Sequence, residues 1–142
     1  MAHLKLFTDG ACRGNPGPSA VGLVLKDETG KVLATRHRYL GHTTNNVAEY
    51  VGLVRGLKLA SEFAPSALDV YMDSKLVVEQ TNGRWKVKDA NLRELWTEAC
   101  KLIATLPQVH VQYIPRERNT QADLLANLAL DEEQGRQLNL GR

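Results

Sequence analysis

The sequence predicts an α/β protein in which a five-stranded mixed sheet carries helices on both faces, in the order β-β-β-α-β-α-α-β-α. Three observations lead there. The first forty residues are short apolar runs broken by glycine, proline and polar turns, as in a hairpin sheet. From residue 45 onward, long stretches with helical spacing alternate with short β-branched runs. The chain has 142 residues, enough for one substantial core and too few for two.

Taken in order, residues 3–8 alternate as a first strand, and the stretch FTDGACRGNPGPSAVGLVL follows them into a glycine- and proline-rich turn that begins at Asp9. Residues 20–26 and 31–40 form the next two strands, a hairpin around the polar turn DETG. Thr43 or Thr44 caps a helix over 45–63, which Pro65 stops. LDVYM, residues 68–72, is a buried-type strand, and a short helix over 74–80 ends at Asn82-Gly83. A third helix covers 91–106, a fifth strand 109–114, and Asn119 or Thr120 caps a last helix over 121–133. The domain is expected to span 1–142, with its core in about 1–133 and a frayed polar tail over 134–142.

Composition narrows the function classes. A net charge of +2 implies no broad basic surface, so any nucleic-acid contact must come from local clusters. Cys12 and Cys100 make neither a disulfide framework nor a zinc pattern. MAHLKLF is too short for a signal peptide and no apolar run approaches a membrane span, which leads us to expect a cytoplasmic protein.

Four acids draw attention. In a mixed sheet of this order the first and fourth strands should be parallel, and ligands gather beyond the carboxyl ends of parallel strands. Asp9 and Asp73 both lie at such ends. Asp73 has a second reading as a helix cap before Ser74, and Asp123, three residues after Thr120, one as a capping-box partner. Glu49 shares a helical face with Leu53, Gly56 and Ala60, so it is expected to be buried, and a buried carboxylate needs a partner. Gly52 and Gly56 suggest close packing on that side. A cluster of hard oxygen ligands suits divalent cations, and a pair of such ions can drive phosphodiester displacement.

Four stretches, TDGACRGNPGPSAVG, TTNNVAEY, MDSKLVVEQ and PRERNTQADLLAN, together resemble ribonuclease HI (type 1 RNase H), in order and over nearly the whole chain. The resemblance implies the RNase H-like fold and an endoribonuclease that hydrolyses the RNA strand of RNA–DNA hybrids, leaving 5′-phosphate and 3′-hydroxyl ends. It implies two Mg²⁺ ions, for which Mn²⁺ can substitute, held by Asp9, Glu49, Asp73 and Asp123, with Asp9 bridging both. It also implies that Asn15, Thr44, Asn45 and Asn46 meet sugar 2′-hydroxyls and backbone, which suits recognition by groove shape. Asn45 and Asn46 as simple helix-entry residues remain the other reading.

The departures from the family pattern carry their own expectations. Lys75 stands where many bacterial members have a glutamine, so contacts in the minor groove should differ. The loop histidine found in many members is missing, since the four histidines are His3, His37, His42 and His110. Arg116, whose fork can hold a phosphate, is the candidate substitute; a surface ion pair with Glu117 is its other reading. The long basic protrusion of larger relatives is also absent, leaving Arg84, Trp85, Lys86 and Lys88 to supply a basic grip, or else a plain exposed turn. These departures resemble a shorter subgroup, some members of which also cleave double-stranded RNA. A monomer is expected. A hybrid-binding module without catalysis is the alternative function, and the presence of all four acids argues against it.

Overall fold

The computed structural model describes residues 2–140. The chain forms β1 (His3–Cys12), β2 (Gly17–Asp27), β3 (Val32–Thr43), α1 (Asn45–Ser61), β4 (Ala67–Met72), α2 (Lys75–Thr81), α3 (Ala90–Thr105), β5 (Val109–Tyr113) and α4 (Thr120–Leu140), with a single 3₁₀ turn at Arg116–Arg118. The five strands make one sheet in the order β3-β2-β1-β4-β5. β1 pairs antiparallel with β2 and parallel with β4, so the expected β1–β4 adjacency is present. β5 adds parallel to β4.

Alternation along β1 decides what each face receives. Leu4 and Leu6, with Leu23, Leu25, Leu68, Val70 and Met72, face α1 and pack on Tyr50, Leu53 and Leu57. The opposite face meets α4 through Ala20, Ala129 and Leu130. Two glycines let the helices come close. A Cβ on Gly10 would lie 2.5 Å from the Ala48 carbonyl carbon, and one on Gly22 would lie 2.0 Å from the Ala122 oxygen. A Cβ on Gly56 would lie 2.9 Å from the side chains of Leu6 and Thr8, the close packing expected on that side of α1, whereas Gly52 has only ordinary contact, 3.4 Å to the Asp9 carbonyl oxygen.

Three boundaries differ from expectation in ways that matter. β1 does not end before Asp9; it continues to Cys12 because Gly10–Cys12 pair with Ser19–Val21. Asp9 is therefore a mid-strand residue, and the turn lies at residues 13–16. α1 stops at Ser61, short of Phe63, as the chain turns through Ala64 (φ 45°) immediately before Pro65. α4 runs on to Leu140, so residues 134–140 continue the helix where a separate polar tail had been expected from their composition. Gly141 and Arg142, the end of that expected tail, lie outside the described residues.

Candidate active site

The parallel pairing of β1 and β4 ends at Phe7 and Tyr71, and Asp9 and Asp73 each stand two residues beyond that pair. Their side chains meet just beyond the carboxyl end of the parallel β1–β4 pairing, as the strand order requires. Glu49 reaches the same point from the first turns of α1. One carboxylate oxygen from each of Asp9, Glu49 and Asp73 lies within 4.8 Å of the others. Asp9 and Glu49 are each only 5% exposed, and Asp73 is half-buried. The Gly10 N–H donates to Glu49 Oε1 at 2.7 Å, locking the α1 acid to the backbone beside the β1 acid. Asp123, from the first turn of α4, stands outside that triplet but lines the same cavity, and its charge acts on Asp9. The four acids share a cavity of about 420 Å³ with Arg116, Asn45 and Tyr113.

The capping readings do not account for these acids. Ser74, not Asp73, caps α2, its Oγ accepting from the Val77 N–H at 3.4 Å. Asp123 receives the Asn127 amide, at 3.2 Å to its carboxylate, from one turn further along α4.

Electrostatics follow from the crowding. Burial holds the Asp9 proton up to about 10, with the charges of Glu49, Asp73 and Asp123 acting in the same direction. Burial, and then the Asp73 charge, raises Glu49 to about 8 against the opposing pull of the Gly10 N–H. Asp73 is also raised by burial, with Asp9, Asn119 and the Arg116 charge working against the rise. Among the described residues no lysine or arginine forms a salt bridge with any of the four. Buried oxygens without an organic counter-ion are a donor set that fits a hard divalent cation.

Around the acids, Thr44 caps α1 by accepting from the Val47 N–H, and Asn15 Oδ1 accepts from the Asn45 N–H at 2.9 Å, which ties the glycine-rich loop to the helix start. Thr44, Asn45, Asn46 and Asn15 are all exposed at this rim. Arg116 is exposed at the cavity edge, and the alternative ion pair with Glu117 does not form among the described residues. Of the residues after α2, Arg84 is engaged, its guanidinium making two 2.7 Å hydrogen bonds to Glu79. Trp85, Lys86 and Lys88 are exposed, as is Lys75 at the start of α2.

Two further residues tie the site together. Asn119, 1% exposed, donates through Nδ2 to the Thr8 carbonyl at 2.9 Å, adjoining Asp9, and its amide works against the raised proton affinity of Asp73. Its backbone accepts from the Asp123 N–H and donates to the Arg116 carbonyl. One buried residue thus joins β1, α4 and the arginine turn; from sequence it was distinguishable only as a helix cap. The second, Arg13, bonds Asp131 at 2.7 Å and Asn127, holding the glycine-rich loop to α4.

Residues 7–129 match the family model described as reverse transcriptase-like. The chain is 47% identical over 124 residues to the bifunctional protein Rv2228c of Mycobacterium tuberculosis, covering 87% of this chain and 34% of that protein. It therefore spans about a third of the length of such relatives. The solved N-terminal RNase H domain of that protein superimposes with a TM-score of 0.90 over 93% of this chain and 96% of that one, at 44% identity. Ribonuclease HI of Halobacterium salinarum is 40% identical over 130 residues, covering 92% of this chain and 65% of its own. LC11-RNase H1, solved in complex with an RNA/DNA hybrid, gives a TM-score of 0.89 at 39% identity, covering 92% and 99% of the two chains. The match over residues 7–129, with a sheet order and acidic site that agree with it, places the chain in the reverse transcriptase-like family. Within that family it belongs with the ribonucleases H of type 1.

Proposed function

We propose that the protein is an endoribonuclease that hydrolyses the RNA strand of RNA–DNA hybrids. The observation that carries this reading is the buried Asp9–Glu49–Asp73 triplet, with Asp123 against it, at the carboxyl end of parallel strands. Asp9, Glu49, Asp73 and Asp123 would hold two divalent ions, Mg²⁺ or Mn²⁺ in its place. Bound there, the ions supply Lewis-acid stabilisation of charge on the reacting phosphate, and the products carry 5′-phosphate and 3′-hydroxyl ends. The name of LC11-RNase H1's partner, an RNA/DNA hybrid, supports the substrate class.

The chain's own residues have distinct tasks in this reading. Asn15, Thr44, Asn45 and Asn46 hold the sugar edge and backbone of the RNA strand, where a 2′-hydroxyl separates RNA from DNA. Arg116, close enough for its charge to act on Asp73, holds the phosphate at the cleavage point with its fork. Lys75, Trp85, Lys86 and Lys88 meet the rest of the duplex, with Arg84 held back by Glu79. Duplexes labelled separately on each strand, as RNA–DNA, RNA–RNA and DNA–DNA, test the reading in the presence of Mg²⁺ and of Mn²⁺. Cutting of the RNA strand of the hybrid is expected. Tight hybrid binding with no cutting in either metal would instead show a binding module.

A further inference from the structure

Away from the catalytic cavity, and sharing no residue with it, a second hollow of about 310 Å³ opens between the outer edge of the sheet and α1. Its floor is aliphatic: Val21, Leu23 and Leu59 are 1%, 3% and 6% exposed. Its rim is cationic. Arg36 and Arg38 stand opposite Leu23 and Val21 in the β2–β3 register, so both project to the α1 face. Arg55 and Lys58 rise from α1 to meet them, and Glu62 is the lone acid of the lining. Lys58 is engaged by Glu98, but no acid pairs with Arg38 or Arg55 among the described residues, and Arg36 reaches only the Thr35 carbonyl.

These arginines belong to an edge. β3 is the outermost strand on its side, so one row of its backbone groups has no strand to pair with. Cations along such an edge keep a second copy of the same strand away, because like charges would face each other. An acidic strand meets the reverse condition. Its main chain can pair with the edge, and carboxylates at alternate positions would oppose Arg36 and Arg38, which share the two-residue spacing of a strand. The one aromatic ring of the lining, His37, alternates toward the other face of the strand, where it bonds Glu132 at 2.7 Å and is not offered to a base.

We propose that the β3 edge, with the arginines that rim the hollow beside it, docks an extended acidic peptide segment of a partner protein. The segment adds as a sixth strand and sets two alternate carboxylates on Arg36 and Arg38.

The test is fluorescence anisotropy with two labelled peptides of one composition. The first has glutamates at two alternate positions among threonines; in the second the glutamates are adjacent. The full chain is expected to bind the alternating peptide and to bind the scrambled one more weakly. An Arg36→Ser/Arg38→Ser double variant, with unchanged circular dichroism and unchanged cleavage of hybrid, is expected to lose binding by about tenfold or more, two ion pairs being removed. Equal binding of the two peptides, no binding of either, or binding that survives the double variant would overturn the proposal. So would a single-stranded DNA oligonucleotide that displaces the peptide and itself depends on Arg36 and Arg38, since the surface would then be a nucleic-acid site. No turnover enters the binding readout, so its failure leaves the nuclease reading untouched.

Discussion

Asp9 stands at the centre of the acidic site. It sits mid-strand, nearly buried, among three other acids, and its proton is held to about 10 by burial first and by neighbouring charge second. The sign for stability follows. In the metal-free protein Asp9 and Glu49 keep protons that the unfolded chain gives up near pH 4, so stability falls as pH rises from there through the folded values of about 8 and 10. Thermal unfolding without metal should therefore show Tm dropping from pH 5 to pH 9. Asp9→Asn should flatten that drop and raise Tm at pH 8, and added Mg²⁺ should stabilise the wild type more at pH 8 than at pH 6. Asn119 is the second residue to probe. Asn119→Ala leaves the buried Thr8 carbonyl without its side-chain donor, so a loss of roughly 1–3 kcal/mol is expected in denaturant unfolding. Turnover should fall while KM for the hybrid stays nearly level, because Asn119 positions acids and is too buried to touch substrate.

Among the elements, the packing of α1 and α4 on the central strands sets where Glu49 and Asp123 stand. Gly22 lies opposite Asp9 and under α4, and Gly22→Ala forces a methyl group into helix backbone. A cost of about 1–3 kcal/mol or more is expected, with lost turnover because Asp123 moves with α4; a folded variant with wild-type turnover would contradict this. The residues after α2 are fixed by another buried link. Tyr50 O–H donates to Gln80 Oε1 at 2.6 Å, and Gln80 Nε2 donates to the Lys86 carbonyl at 3.2 Å. Gln80→Leu should loosen the segment carrying Trp85 and Lys86, raising the Kd for hybrid more than it lowers kcat. Much at this scale was legible in advance. Element order and type could be read from periodicity, and strand parallelism from connection rules. The end of β1 could not, since Asp-Gly reads as a turn until its cross-strand partners Val21 and Gly22 are known. The extent of α4 was hidden for a related reason: QGRQLNL has neither cap nor apolar stripe, and the helix simply continues through it.

For the whole molecule, the four acids were readable one by one, but only the fold shows that three reach a single point and that Asp123 approaches from the side. The tertiary roles of Asn119 and Arg13 left no mark in the sequence, because each depends on a partner more than 100 residues away. On the proposed interface, where a net charge of +2 leaves Lys75, Arg116 and the segment around Trp85 to meet the phosphates, hybrid binding should weaken steeply with salt. A near-flat dependence of Kd on NaCl would contradict that view of the interface. The central claim is that this acidic cluster cuts RNA with the help of divalent cations. It is tested most directly by single-turnover cleavage of a hybrid labelled on its RNA strand, with wild type and Asp9→Asn side by side, in Mg²⁺ and in EDTA. Cleavage by the wild type in Mg²⁺ alone, lowered at least about a hundredfold by Asp9→Asn, is the expected result. Cleavage that persists in EDTA, or at the wild-type rate in Asp9→Asn, would contradict it.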